Sequence, residues 1–314
     1  MNRDLTRREV LLGGSVAVGA LTRIGDQTLL AADGKQDYID AHSHIWTPAV
    51  DRFPLKAVVK VDDLAPRSFT AEELLALANP LGVRRVVLIA HTLYYGVDNS
   101  YLVHAAQQFP GVFRVVGMID DRQPHPDRQM RDLHGQGVTG FRITPSVRGK
   151  AIWLDNPGMA TMWRCAGETG QAMCCLIDAH HLAQVDEMCV KFPDTRVVID
   201  HFARIGVDGT IREADVNTLC RLARHPHTHV KISAFYALGR KEPPYHDLIP
   251  MIRRVHEAFG AERVMWASDS PYQVVGVHSY AASLALVRDE LEFLSAGDRE
   301  WLLRKTAESV YFAS

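Results

Sequence analysis

The chain has 314 residues, of which 47% are hydrophobic and 23% are charged, the balance of an ordinary globular protein that folds in water. Its 35 lysines and arginines nearly match its 37 acidic residues, so the net charge of -2 gives no electrostatic basis for binding nucleic acid or an anionic membrane. We therefore expect a small-molecule substrate and no nucleic-acid or membrane partner, and we leave a homo-oligomer open.

Residues 1–32 differ in character from the rest of the chain. Arg7 and Arg8 come directly before the apolar stretch Val10–Leu21, which is the outline of a twin-arginine export signal. The stretch is shorter than the roughly 20 residues that a bilayer span requires. We predict a signal that is cleaved near Ala31–Ala32 and a periplasmic protein. The alternative is a basic and apolar N-terminal helix with no targeting role.

From Tyr38 onward, short runs of β-branched and apolar residues alternate with longer amphipathic stretches, the pattern of repeated βα units on a parallel sheet. The runs predicted as strands are Tyr38–Ala41, Arg85–Ala90, Phe113–Ile119, Val138–Ile143, Ala172–Ile177, Arg196–Asp200, His229–Ile232 and Arg263–Trp266. The stretches predicted as helices are Ala71–Ala78, Ser100–Phe109, Pro126–His134, Pro157–Thr169, Leu182–Phe192, Ile211–Arg224, His246–Phe259 and Ser279–Leu294. This alternation predicts an α/β fold, a single-domain (β/α)8 TIM-type barrel over residues 38–314.

An open, doubly wound sheet is the alternative fold for such an alternation. Neither G-x-G-x-x-G nor G-x-x-x-x-G-K-[ST] follows any predicted strand, so the phosphate-binding loops that mark many proteins of that class are missing. The sequence favours the closed barrel.

In a barrel of this class the site forms where the strands end, so polar residues at those positions are the informative ones. They are His42 and His44 after the first strand, His91 after the second, Arg142 in the fourth, His201 after the sixth, Lys231, Ser233 and Tyr236 around the seventh, and Asp269 after the eighth. Several imidazoles and a carboxylate at one rim are hard to explain by packing alone. The sequence therefore predicts one site there, with His91 and Tyr236 among the substrate contacts.

The two histidines of His42-Ser43-His44 point the same way, because side chains alternate along an extended chain. Neutral imidazole suits a zinc-like cation, and Asp269 from across the rim would complete a site that keeps one position open for water. By itself H-x-H is a weak pattern, and its position on the first strand of the barrel strengthens it. The sequence predicts a divalent metal, zinc by preference, on His42, His44 and Asp269.

Together, several segments resemble the amidohydrolase superfamily, in particular its amidohydrolase-2 branch of lactonases and non-oxidative decarboxylases. They are Ile39–Trp46, Gly140–Arg142, Val198–His201, Val230–Ser233 and Met265–Pro271. Within that branch, the D-A-H-x-H-x-W start and the W-x-S-D-x-P end resemble the lactonase group most. The resemblance implies a lactone hydrolase. A metal-dependent decarboxylase of the same superfamily is the alternative.

The resemblance also implies a role for each matching residue. Asp269 would be the base that takes a proton from the attacking water and returns it to the leaving alkoxide. His201, with His42 and His44, would polarise the lactone carbonyl, either directly or through a bound cation. Arg142 would hold a carboxylate or sulfonate of the substrate in a two-pronged contact.

One departure from the family pattern concerns the fifth strand, where metal-binding relatives generally place a histidine. Here the strand runs into Asp178, and His180 and His181 follow a few residues late. Either His180 turns back to the site, as a ligand or a substrate contact, or the site uses its imidazoles without a metal. The other interpretation is a pair of polar residues at a helix start that face solvent.

Two other groups of residues have simpler predicted roles. Trp46, Tyr94 and Tyr95 follow the first two strands and are predicted to form an apolar wall of the pocket. The alternating histidines of His225–His229 lead into the seventh strand at the opposite end of the barrel, where we expect solvated turn residues.

Overall fold

The computed structural model describes residues 36–145, 154 and 156–313. The predicted export signal over residues 1–32 lies outside this part of the chain. Among the described residues, no helix is long and apolar enough to cross a membrane.

One parallel sheet contains all eight strands, in the order in which they occur along the chain. They are β1 (Tyr38–Ser43), β2 (Val83–Ile89), β3 (Phe113–Gly117), β4 (Val138–Ile143), β5 (Ala172–Cys175), β6 (Val197–Ile199), β7 (Thr228–Ile232) and β8 (Val264–Trp266). Just beyond β8, a parallel bridge between Ser270 and Ser43 brings the last strand back to the first. The (β/α)8 barrel predicted from the sequence is confirmed.

The interior of the barrel holds a small apolar core below the predicted site. Inward-facing residues of six strands pack together there with the C-terminal segment. They are Ile39, Ala41, Val87, Ile89, Val116, Ala172, Cys174, Val198, Met265 and Ala267, with Ala307, Val310 and Tyr311. A larger core fills the layer between the sheet and the surrounding helices.

An irregularity in β1 changes which residues face this interior. Asp40 pairs with Val86 and Ser43 pairs with Leu88, so three residue steps of β1 oppose two steps of β2, as in a β-bulge. Strict alternation of side chains would point Ser43, like Ala41, into the barrel. The bulge shifts the alternation by one, so that Asp40 and Ser43 share the outer side, where Ser43 Oγ donates to Asp40 Oδ2 at 2.9 Å.

Helices surround the sheet, and their ends follow the local sequence. They are Ala71–Ala78, Thr92–Tyr95, Ser100–Gln108, Pro126–His134, Pro157–Thr169, Leu182–Lys191, Glu213–Arg221, Ile249–Phe259, Tyr280–Ala285 and Ala296–Glu300. Thr70 begins the first of them with a capping box, in which its side chain accepts from Glu73 N–H and the Glu73 carboxylate accepts from Thr70 N–H. The prediction missed the C-terminal helical turns after residue 295.

Candidate active site

His42 and His44 lie at the carboxyl end of β1, and the closure of the barrel holds the backbone around them. The His44 N–H donates to the Ser270 carbonyl at 2.8 Å, and the Asp269 N–H donates to the His42 carbonyl at 2.8 Å. These hydrogen bonds continue the ladder past the end of β8. The beginning and the end of the barrel therefore meet at the two histidines and the aspartate.

The Asp269 carboxylate lies between the imidazoles of His42, His44 and His201. Its Oδ1 lies 3.4 Å from His42 Nε2 and 3.3 Å from His44 Nε2. Its Oδ2 lies 3.8 Å from His201 Nε2 and accepts a hydrogen bond of 2.8 Å from the Tyr236 hydroxyl. The structure thus brings together these predicted site residues from β1, β6, β7 and β8.

Burial and local interactions set the protonation of these groups. Burial lowers the pKa of His42 and of His201, so both rings are neutral near pH 7. Burial would raise the pKa of Asp269, but the favourable interactions of its carboxylate with the three surrounding imidazoles outweigh that effect and hold its pKa below the usual range. Asp269 is therefore an ionised carboxylate within the buried site.

His201 follows β6 in an uncommon backbone conformation. The φ angles of residues 201–204 lie between +51° and +54°, in the left-handed region. A non-glycine residue occupies this region at a cost of roughly 1 kcal/mol or more, so the surrounding packing must hold the turn. Phe202 is fully buried, and His201 Nδ1 lies 2.7 Å from Ser233 Oγ. The turn brings His201 and Arg204 to the same cavity.

His44 has the hydrogen bonding of a metal ligand. Its Nδ1 lies 2.9 Å from the Ile89 carbonyl oxygen, which can only accept, so Nδ1 carries the proton. In the neutral ring, the Nε2 lone pair then faces the Asp269 carboxylate, and the two repel each other unless a cation or a proton lies between them. His42 Nε2 is also buried and has no hydrogen-bond partner among the described residues.

The spacing of the ligand atoms fits a small divalent cation. Ligands at about 2.0–2.1 Å from a tetrahedral zinc ion lie about 3.3–3.4 Å apart, and the Asp269 carboxylate lies 3.4 Å and 3.3 Å from the two histidine nitrogens of β1. His42, His44 and Asp269 can therefore hold a metal ion and leave a position for water or substrate. An overlapping group consists of His42, Asp200 and His201.

Below His42 lies a buried ion pair between β6 and β7. Lys231 Nζ is 3.0 Å from Asp200 Oδ1, and both side chains are fully buried. Burial would raise the pKa of Asp200, but Lys231 and His42 hold it well below its usual range. His42 Nδ1 lies 3.5 Å from Asp200 Oδ1 and 3.4 Å from Lys231 Nζ, so this ring contacts both members of the ion pair.

A cavity of about 330 Å³ opens beside this group, within the size range of small-molecule sites. The polar side chains on its wall that the sequence predicted are His44, His91, Arg142, His201, Tyr236 and Asp269. Arg142 is only 7% exposed; its Nη1 donates to the Ala90 carbonyl at 3.1 Å, and its Nε has no partner among the described residues. An apolar part of the wall comes from Leu93, Leu176, Val207 and Leu238.

The structure does not bring His180 to the cavity. It is exposed in the short helix Ala179–His181 after β5, where its ring contacts that of His181, with 3.8 Å between centroids and the planes tilted by 39°. β5 ends at Cys175, and the chain has already left the rim when it reaches the histidines. This placement agrees with the interpretation of polar residues at a helix start.

Sequence reasoning missed several cavity residues, among them the polar side chains of Thr92, Thr144, Arg204 and Tyr272. Arg204 and Tyr272 each come three residues after a predicted site residue, His201 or Asp269. A search for polar residues three positions after each predicted site residue would have found both. Arg204 also forms an ion pair of 2.7 Å with Asp178.

Two structural predictions need correction. Trp46 is fully buried and donates to the Pro66 carbonyl at 2.7 Å, and neither it nor Tyr94 or Tyr95 is among the residues that line the cavity. In the His225–His229 segment, His229 belongs to β7 and is only 8% exposed. His225 Nε2 lies 2.6 Å from Asp186 Oδ1, so this segment contains packed and paired side chains as well as a solvated turn.

Residues 39–313 match the profile of the amidohydrolase family, which is nearly the whole of the described chain. The chain belongs to the amidohydrolase family. The resemblance seen in the sequence is thereby confirmed.

Three curated relatives in this family hydrolyse lactones by name. The chain is 29% identical to the L-fucono-1,5-lactonase of Burkholderia ambifaria, over 79% of this chain and 85% of that protein. It is 25% identical to the 4-sulfomuconolactone hydrolase of Hydrogenophaga intermedia, over 74% of each chain. It is 27% identical to the 2-pyrone-4,6-dicarboxylate hydrolase of Comamonas testosteroni, over 74% of this chain and 76% of that protein.

Solved structures of other proteins share the fold. An amidohydrolase from Burkholderia multivorans with bound zinc gives a TM-score of 0.74 at 21% identity, covering 88% of this chain and 100% of that one. The 5-carboxyvanillate decarboxylase of Sphingomonas paucimobilis gives a TM-score of 0.64 at 13% identity, covering 89% of this chain and 100% of that one. At these identities the likeness concerns the fold alone.

Proposed function

We propose that this amidohydrolase opens the ring of a small lactone that carries an anionic group. The observation that carries the proposal is an ionised carboxylate, Asp269, among the imidazoles of His42, His44 and His201 at the wall of a cavity that also holds Arg142. The lactonase names of the curated relatives support the same chemistry.

In the proposed reaction, Asp269 takes a proton from water as the water oxygen attacks the carbonyl carbon of the lactone. His201 Nδ1 lies 2.7 Å from the Ser233 hydroxyl. In this mechanism that hydroxyl would donate to Nδ1, and the His201 Nε2–H would donate to the carbonyl oxygen as it becomes an oxyanion. Collapse of the tetrahedral intermediate breaks the bond between the carbonyl carbon and the ring oxygen. The alkoxide that leaves takes the proton from Asp269, and the product is a hydroxy acid.

We propose zinc as the metal of this site, because two imidazoles and a carboxylate are ligands that zinc prefers. His42 Nε2, His44 Nε2 and Asp269 Oδ1 would hold it, and when bound it would supply Lewis-acid polarisation of the carbonyl. Asp269 Oδ2, which accepts from Tyr236, stays available as the base.

Elemental analysis of protein purified without chelators tests the metal assignment. We expect about one zinc ion per chain in the wild type and much less in His44→Ala, since that variant lacks one of the three proposed ligands. Equal metal content in the two proteins would place the ion elsewhere. Fully active protein without bound metal would assign carbonyl polarisation to the imidazoles alone.

A screen of lactones tests the reaction itself. Each ring opening releases a proton, so a pH indicator follows turnover of dicarboxylated, sulfonated and sugar lactones. We expect turnover of at least one anionic lactone. Release of CO2 from aromatic carboxylic acids, with no lactone opened, would instead identify a decarboxylase.

Asp269→Asn tests the base. The amide cannot accept the water proton, so we expect at least a thousandfold loss of kcat with the fold retained. Asp132→Asn changes an exposed carboxylate on the helix Pro126–His134 and is the matched control, expected to keep wild-type turnover. Near-normal turnover in Asp269→Asn would remove the proposed mechanism.

A further inference from the structure

Tyr272 lies in the turn after β8 and lines the cavity, yet the proposed mechanism gives it no task. Aromatic neighbours hold its ring on two sides. Its centroid is 6.3 Å from that of Tyr236, with the ring planes 23° apart, and 5.9 Å from that of His44. The position of the Tyr272 hydroxyl is therefore defined by packing.

A short hydrogen bond joins this hydroxyl to His91. His91 Nε2 and Tyr272 Oη lie 2.6 Å apart, and His91 is only 5% exposed. A protonated ring would leave a buried N–H at Nδ1 without a partner among the described residues, so the ring is taken as neutral, with one N–H. The direction of the hydrogen bond depends on which nitrogen holds that proton.

The surroundings of the other nitrogen decide between the two arrangements. His91 Nδ1 is buried and has no partner among the described residues. If Nδ1 carried the proton, a buried N–H would have no acceptor, which is rarer in folded proteins than an acceptor with an unused lone pair. The arrangement we favour places the proton on Nε2, where it donates to the phenol oxygen of Tyr272.

This arrangement leaves the proton of Tyr272 free to point into the cavity. Asp269 Oδ2 already accepts from Tyr236, so that oxygen does not need the Tyr272 proton. A tyrosine hydroxyl is protonated near pH 7, so Tyr272 has a proton to donate. The cavity thus contains a hydroxyl donor that a buried imidazole orients.

We propose that the Tyr272 hydroxyl donates a hydrogen bond to the ring oxygen of the lactone as that oxygen leaves, and that His91 is a positioning residue that aims the hydroxyl. The proposal rests on the lactonase function above. In that mechanism His201 or a metal polarises the carbonyl oxygen, and Arg142 binds the anionic group. The ring oxygen, which becomes an alkoxide, has no donor until Asp269 returns the proton.

A double-mutant cycle on the best lactone of the screen tests this proposal. Tyr272→Phe removes only the hydroxyl, and we expect kcat to fall roughly tenfold to hundredfold with KM within about threefold, because the contact strengthens as charge develops on the leaving oxygen. His91→Leu should cause a similar loss, and His91→Gln, which keeps an N–H donor, should restore much of the rate. The double variant Tyr272→Phe, His91→Leu should be no slower than the slower single variant.

Tyr38→Phe is the matched control, since it removes the same hydroxyl at the start of β1, at the other end of the barrel. We expect wild-type kinetics from it, and melting temperatures will show that each variant is folded. Wild-type kcat in Tyr272→Phe, or losses that multiply in the double variant, would overturn the proposal. If the wild-type protein opens no lactone, the proposed function itself is wrong. If it opens a lactone and Tyr272→Phe keeps the wild-type kcat, only the role of Tyr272 is wrong.

Discussion

Asp269 uses its two carboxylate oxygens differently. Oδ1 faces the two histidines of β1, and Oδ2 accepts from Tyr236 on the opposite side. One oxygen is therefore placed to bind a cation, and the other is placed to receive a proton from water. A single carboxylate can serve both tasks because its neighbours hold its orientation.

Substitution of Arg142 tests whether this side chain binds the anionic group of the substrate. A charge-assisted contact contributes about 1.5–3 kcal/mol, so Arg142→Met should raise KM for anionic lactones about tenfold to hundredfold and leave KM for neutral lactones nearly unchanged. Steady-state kinetics on a charged and an uncharged lactone measure the difference.

Two further variants make this measurement specific. Arg142→Lys keeps the charge but loses the planar fork, and it should recover part of the affinity. Arg122→Met removes an exposed guanidinium that pairs with Asp120, and it should change neither KM. An equal rise of KM for charged and neutral lactones in Arg142→Met would contradict the assignment of Arg142 to the anionic group.

The elements that carry the site depart from regular geometry where their functional residues lie. β1 has a bulge between Asp40 and Ser43, and the chain after β6 forms a left-handed turn at residues 201–204. Both irregularities turn imidazoles toward Asp269. Regular strand ends would not place these rings at one carboxylate.

Strands β6 and β7 provide a prediction about stability. Lys231→Met would leave the Asp200 carboxylate buried without its cation, and we expect a loss of about 3–5 kcal/mol in the free energy of unfolding. Urea denaturation followed by circular dichroism measures this loss.

An exposed ion pair is the control for that measurement. Lys305 Nζ lies 2.8 Å from Glu300 Oε2, and both side chains are more than a third exposed. Lys305→Met should cost no more than about 1 kcal/mol. Similar losses in the two variants would mean that the buried pair between β6 and β7 contributes no more than a surface contact.

At the scale of the whole molecule, the chain combines a barrel with an N-terminal segment that we propose directs export to the periplasm. All five cysteines are free thiols, so the barrel can fold without disulfides, which is compatible with the proposed export of a folded protein. In a bacterium with a twin-arginine pathway, the double substitution Arg7→Lys, Arg8→Lys should abolish the periplasmic fraction of the full-length protein. Fractionation with immunoblotting measures it, and unchanged export would contradict the signal assignment.

The barrel, the order of its strands and six of the polar residues that line its cavity were predictable from the sequence. Periodicity is a local property, and the carboxyl ends of parallel strands in a barrel always share one rim, so His42, His201 and Asp269 were predictable as neighbours. The amidohydrolase motifs were local as well.

The way in which those residues face one another was not predictable from local sequence patterns. The bulge in β1, the left-handed turn after β6 and the pairing of His91 with Tyr272 each depend on contacts between segments far apart in the chain. The same contacts decided that His180 lies outside the cavity. Such conformations are unfavourable or undefined for an isolated segment, and they form because packing and hydrogen bonds elsewhere in the barrel offset their cost.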